Sequence, residues 1–290
     1  MKNTFFIFFT LTSLCAIGQT QQNILKNTGT ATNAISNIDS IRFNGTSETM
    51  EVVLQGGTVE SHSLADILKV NFSPMSSNSC GISNVHNPGK TYGTKTDQQG
   101  NLYKTIVIGS QEWMAENLKT DRYRNGDAIP NILSNGVWAS LTSGATCWLN
   151  NDSAANACAF GRIYNRFAVV DSRGLCPAGW HVPSDLEFNT LATNLGGLDA
   201  SGGKLKSTSN LWQSPNTGAN NSSGFSALPA GSRQFNNGSF SAPGGQGYWW
   251  SSTNFISNLN YYYALLFNSS SFNRDFVDEK YGFSVRCVKD

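Results

Sequence analysis

Three features of this 290-residue chain predict an α+β fold. Phe160, Ile163, Tyr164 and Phe167 recur at helical spacing, which predicts a helix over 160–170. Ser184-Asp185-Leu186-Glu187 is a capping box, with Ser184 accepting from the backbone and Glu187 reaching back. It starts a second helix that runs to about Leu195 and stops at Gly196-Gly197. Beyond this point the chain is rich in Gly, Asn and Ser, with short strands expected at 225–228, 248–251, 261–267 and 282–288. Two helices followed by short antiparallel strands do not make a doubly wound sheet.

The first 18 residues read as an export signal. Lys2 supplies the charge, Phe5 to Leu14 the apolar run, and Ala16-Ile17-Gly18 the cleavage pattern, so Gln19 starts the mature chain. The run is shorter than the roughly 20 residues a bilayer span needs, and no other run is longer, so no transmembrane segment is expected. Leu14 is too large to let Cys15 serve as a lipid anchor. An exported protein of the periplasm, outer surface or extracellular space is the expectation. A net charge of +1 with only 13% charged residues leaves no electrostatic footprint for nucleic acid.

Residues 19–75 form a small β module containing a weak repeat. Ile24-Leu25, Gly29-Thr30 and Ile38 to Phe43 are echoed by Val52 to Leu54, Gly57-Thr58 and Ile67 to Phe72. Each copy reads as a strand, a Gly-Thr turn, a strand, a short turn and a further strand. Residues 76–91 read as a linker or loop ahead of a main domain over 92–290. In that domain Asp97 to Gly100 is a turn, Leu102 to Ile108 alternates as a hairpin strand, and Gln111 to Leu118 continues as a strand. The closing segment places Phe283, Val285 and Cys287 on one face of a final strand.

Five cysteines remain after signal removal, and in an exported chain they favour disulfides over metal ligation. The preferred pairs are Cys176 with Cys287 and Cys147 with Cys158, leaving Cys80 single or joined to another chain. Spacing alone does not fix this connectivity. A Cys176–Cys287 bridge would close a loop of about 110 residues and stabilise by about 4–5 kcal/mol if unstrained.

Across 92–290 a series of stretches stands in order: Asp97 to Gly109, Gln111 to Leu118, Tyr123 to Pro130, Cys147 to Asp152, Leu175 to Ser184, Gly202 to Lys206, Gly224 to Gly231, Tyr248 to Thr253 and the terminal strand. On these matches the chain resembles the Fibrobacter succinogenes major paralogous domain (FISUMP), common in exported proteins of Bacteroidota-like bacteria. The resemblance implies a C-type-lectin-like domain whose terminal strands meet and whose long loops carry ligand contacts, with no implied reaction. Arg162 and Arg166 depart from the expected pattern in being charged, and Cys158 is an addition.

No catalytic or metal constellation is expected. His62, His86 and His181 are the only histidines, and none shares a zinc-binding frame with another. His181, between Trp180 and Val182, reads as a satisfied structural residue. Glu112 with Glu116 and Asp278 with Glu279 read as solvated or capping groups. No nucleophile-elbow, P-loop or dinucleotide motif occurs. The related formylglycine-generating enzymes need reactive cysteines, which the expected staple consumes. Calcium is possible but unsupported: Glu-Pro-Asn, Gln-Pro-Asp and Trp-Asn-Asp are all missing, and Asn150-Asn151-Asp152 reads as a turn.

The segment from Asn254 to Asp275 is the expected ligand surface, dense in Tyr and Asn as antibody paratopes are. The candidate binding residues are Trp250, Asn254, Asn258, Asn260, Tyr262, Phe272, Asn273 and Asp275. One of Trp249 and Trp250 is expected in the core and the other at the surface. Tyr261, Tyr263, Leu265 and Phe267 would line the buried face of a strand. Diversity-generating retroelements randomise such segments in some lectin-like proteins, and this stretch is compatible with that. The function expected is non-catalytic recognition of a glycan or protein. The alternatives are a structural envelope protein or, less favoured, an enzyme of hydrolytic or formylglycine-generating type.

Overall fold

A computed structural model describes residues 20–26, 29–34, 38–44, 47, 49–54, 59–63, 67–74, 82 and 84–290. The expected export signal, Cys15 and Cys80 lie outside these residues. The chain divides into two compact units, 1–76 and 77–290.

The smaller unit contains β1 (Thr20–Lys26), β2 (Gly29–Ala34), β3 (Ile38–Asn44), β4 (Thr49–Leu54), β5 (Val59–Ser63) and β6 (Ile67–Pro74). They form two three-stranded antiparallel sheets, β2-β1-β6 and β3-β4-β5. The repeat correctly announces strands, but its two copies do not form one sheet each. The last strand of the second copy, β6, returns to pair with the first strand of the first copy. At the start of β4 Met50 and Val52 are buried while Thr49 and Glu51 are half-buried.

The larger unit is α+β. Its first elements are β7 (Gly93–Thr96), β8 (Leu102–Ile108) and β9 (Gln111–Met114), a meander closed by local turn chemistry. Asp97 Oδ1 accepts from the amides of Gln99 and Asn101, and Gly100 takes a positive φ of 84° that an L side chain rarely adopts. Next come α1 (Asn135–Ala139), β10 (Thr146–Trp148), α2 (Ser153–Phe160), β11 (Arg162–Tyr164), α3 (Arg166–Val169) and β12 (Trp180–His181). Then follow α4 (Asp185–Asn194), α5 (Leu198–Leu205), β13 (Ser232–Arg233), β14 (Phe240–Ser241), β15 (Gln246–Ile256), β16 (Leu259–Leu266), β17 (Phe272–Asp278) and β18 (Val288–Lys289).

Two helices were too few. The helix expected over 160–170 is broken after Phe160, where Gly161 adopts φ 67°, ψ −162° and the chain enters β11. Asn165 then caps the short α3 by accepting from Ala168 N. The second expected helix is α4, with its capping box formed by Ser184 and Glu187. The strand expected at 225–228 reduces to an isolated bridge at Ala227, and the terminal strand to single bridges at 282–284 followed by β18. Residues at 85–87, expected in a linker, pack on the larger unit. Val85 is buried, and Asn87 donates to Asn221 O.

The closing strand joins the early meander in a five-stranded sheet ordered β12-β18-β9-β8-β7. Phe283, Val285 and Cys287 are all buried in one core with Cys176, Trp180 and Trp250, as their alternation predicts. Cys176 is bonded to Cys287 across 111 positions. The expected Cys147–Cys158 bridge is wrong. Cys147 is a free thiol on β10, fully buried with Leu149 and Ile163, and burial pushes its pKa up to about 11. Cys158 is disulfide-bonded to a different partner.

A loop-rich chain must satisfy many carbonyls away from regular ladders, and here buried cations do so. Lys206, fully buried, donates to the carbonyls of Thr217, Leu266 and Ser269 at 2.8–2.9 Å, while burial pushes its amine down to about 8. Arg286 bonds Asn117 Oδ1 and the carbonyls of Phe225 and Ser226. Arg233 holds Gly238 O and Leu133 O between the rings of Trp138 and Phe240. The two unexpected arginines serve likewise. Arg162 stacks on Trp148 and donates to Lys119 O, and Arg166 donates to the carbonyls of Ser251 and Ser252.

Candidate functional site

The expected ligand surface is mostly sheet, and the strand expected at 261–267 is β16. Residues 254–275 span the end of β15, all of β16 and the start of β17, an antiparallel three-stranded meander. Register sorts its side chains by face, because directly opposed residues point the same way. Tyr261↔Phe276, Tyr263↔Arg274 and Leu265↔Phe272 share one face, with Trp249 opposite Tyr263. Tyr262↔Asp275 and Trp250↔Tyr262 share the other.

The first face is covered at its inner end by α4. Phe188 stacks on Tyr263 with centroids 4.4 Å apart and meets Phe272 edge-on at 5.9 Å. Phe272 is therefore 1% exposed, and its expected place in a binding surface is wrong. Both tryptophans are fully buried, so Trp250 is not a surface residue either. Their indole N–H groups are committed, Trp249 to Asn117 Oδ1 and Trp250 to Tyr164 O. Tyr263 and Leu265 line the buried face as expected, whereas Tyr261 and Phe267 are half-buried.

Of the remaining candidates, Asn254, Asn258, Asn273 and Asp275 are exposed. Asn258 donates to Asp278 Oδ2 across the hairpin. Asn260 is 4% exposed and accepts from Arg166 Nε at 2.7 Å, so it props the hairpin from below instead of facing solvent. Tyr262 is half-buried between Tyr248 and Phe283, and burial first, then nearby Asp275, raises its pKa.

What the outer end does expose is a ring cluster. Phe255 stacks on Phe276 at 4.3 Å and 17° and meets Tyr261 edge-on at 5.2 Å. Phe255, Ile256 and Phe276 are 37%, 56% and 43% exposed. The Arg274 guanidinium lies 4.0 Å from the Tyr261 ring centroid and forms a two-pronged pair with Asp185 at 2.6 and 2.9 Å. Tyr263 Oη also donates to Asp185. Burial resists ionisation of Asp185, but the Arg274 and Tyr263 hydrogen bonds outweigh it and hold the carboxyl below its usual range. The rings are thus tied through β17 to the first residue of α4. None of Phe255, Ile256, Tyr261 and Phe276 stood among the candidate binding residues; the pairing of Tyr261 with Phe276 and of Ile256 with Leu259 is what brings them to one end of the sheet.

Polar groups elsewhere resolve differently. His181 lies between Asp290 and Glu187 at 2.6 and 2.7 Å, a satisfied residue as expected. Burial opposes its charge, but those two carboxylates raise its pKa. Asn150 and Asn151 adopt left-handed turns and Asp152 caps α2. Glu116 is not a solvated carboxylate: it is 7% exposed, paired with His86 Nε2 at 3.1 Å and accepting from Lys104 N. The thirty-residue separation of His86 and Glu116 hid this pair from spacing arguments.

Among the described residues no helix is long and apolar enough to cross a membrane, and no group of three or more His, Cys, Asp or Glu could hold a metal ion. No curated protein and no solved structure matches the chain. The Fibrobacter succinogenes major domain matches residues 106–289, well over half of the sequence, and the chain belongs to that family.

Proposed function

We infer that the larger unit is an exported, non-catalytic recognition module of C-type-lectin-like fold, binding a glycan through the outer end of the β15–β16–β17 sheet. The exposed ring cluster of Phe255, Tyr261 and Phe276 carries this reading. Flat rings braced by Arg274 and Asp185 offer a rigid surface to the apolar face of a sugar ring. Exposed amides of Asn254 and Asn258, next to the cluster in the β15–β16 hairpin, supply adaptable hydrogen bonds to hydroxyls. The lectin-like fold is supported by the closing strand pairing with β9 and by the Cys176–Cys287 bridge behind it. Export is supported by the same bridge.

Glycan and surface-protein arrays probed with the mature chain, with and without a chelator, test the reading. Retention on glycans that is lost in the F255A/F276A double variant, with unchanged thermal unfolding, is the expected result. Retention only on proteins would replace the ligand class. Glycan binding unaffected by the double variant would remove the surface.

A further inference from the structure

A second site lies away from the sheet end, in a cleft of about 380 Å³ lined by Val85, His86, Asn87, Lys90, Tyr92 and Lys104, among others. That volume suits a small ligand of monosaccharide size. Its floor is a fixed imidazole. His86 Nε2 faces Glu116 Oε1 at 3.1 Å, and since a carboxylate has no proton to give, the ring N–H donates. Glu116 is itself anchored by the Lys104 amide at 3.0 Å, so the acceptor cannot swing away. The Tyr92 ring meets the imidazole edge-on at 5.2 Å and fixes its plane.

With the ring neutral, this arrangement leaves His86 Nδ1 as an acceptor. The side chain is 8% exposed, and Nδ1 is buried without a hydrogen-bond partner among the described residues. A buried polar atom left unpaired costs about 1–3 kcal/mol, a cost that an incoming donor recovers. Two ammonium groups share the cleft. Lys90 and Lys104 form no ion pair among the described residues, and Lys104 Nζ stands 5.4 Å from the Tyr92 ring centroid. One buried acceptor beside two lysines without an ion pair among the described residues suits a ligand with both a hydroxyl donor and a negative charge.

We propose that this cleft binds a hydroxylated carboxylate, of the class of a hexuronate unit in an acidic polysaccharide. A ring hydroxyl donates to His86 Nδ1, and the carboxylate pairs with Lys104 and Lys90. The site shares no residue with the exposed ring cluster, so the two stand or fall separately.

The test titrates the full chain with D-glucuronate, D-glucose and inorganic phosphate while following the His86 side-chain ¹⁵N resonances and the heat of binding. Glucuronate should shift Nδ1, with glucose and phosphate at least about tenfold weaker. Lys104→Met should weaken glucuronate about fivefold to tenfold with unchanged thermal unfolding, and F255A/F276A should leave it unaltered. Equal shifts from glucose and glucuronate would overturn the charge requirement. Equal shifts from phosphate would overturn the hydroxyl requirement, and no shift from any of the three would overturn the site.

Discussion

The two ends of the β15–β16–β17 sheet are built from the same residue types and have opposite fates. At the inner end Trp249, Trp250, Tyr263, Leu265 and Phe272 are all under 2% exposed, held between α4 on one side and Phe283 on the other. At the outer end Phe255 and Phe276 keep more than a third of their surface. Side-chain chemistry does not separate these sets. Coverage does: α4 begins at Asp185 and reaches as far as Arg274, and beyond that ion pair Phe255 and Phe276 stack on each other at the surface.

This contrast can be broken at several strengths. The largest effect should come from removing the bridge behind the inner end: replacing Cys176 and Cys287 by Ser should lower unfolding free energy by about 4–5 kcal/mol, measured by denaturant titration. Phe272→Ala should cost about 3–5 kcal/mol, because it opens a void against Phe188 and Tyr263. A cost below about 1 kcal/mol, the range of a surface change, would show that the inner end is not closed. Lys206→Met should cost roughly 3 kcal/mol by orphaning three carbonyls, one of them Leu266 at the sheet's inner end.

The ion pair at the boundary should show in acid. Asp185 has a folded pKa below its unfolded value, so its contribution is complete above the unfolded pKa of about 3.9 and fades as pH falls through the folded one. Melting temperature should therefore drop more steeply between pH 4 and 2 in the native chain than in Arg274→Ala. Parallel curves would mean the brace is inert. The smallest stability effect belongs to Phe255→Ala, within about 0.5 kcal/mol, since the ring is exposed. A larger loss would recast the outer end as core.

How much of this was legible depended on distance along the chain. The capping box of α4 needs only Ser184 and Glu187, three residues apart, and both of its hydrogen bonds form. The turn from Asp97 to Gly100 is equally local. The failed helix over 160–170 shows the limit, because its spacing was right while Gly161 and the Asn165 cap broke the backbone between the apolar positions. Asn260 and Phe272 were misplaced in the site because their burial is decided by Arg166 and Phe188, each more than eighty residues away. The His86–Glu116 pair was invisible for the same reason, as neither residue carries a local motif.

By itself the sequence determined the family and the α+β class, because ordered local patterns carry that information; it favoured the Cys176–Cys287 closure without fixing it, and the structure made that bond. Tertiary structure alone decided which aromatics of the last sheet reach solvent, which cysteine stays reduced, and which histidine meets a carboxylate. Those outcomes depend on what packs over a residue, and packing partners here come from distant turns of the chain whose positions no local pattern encodes.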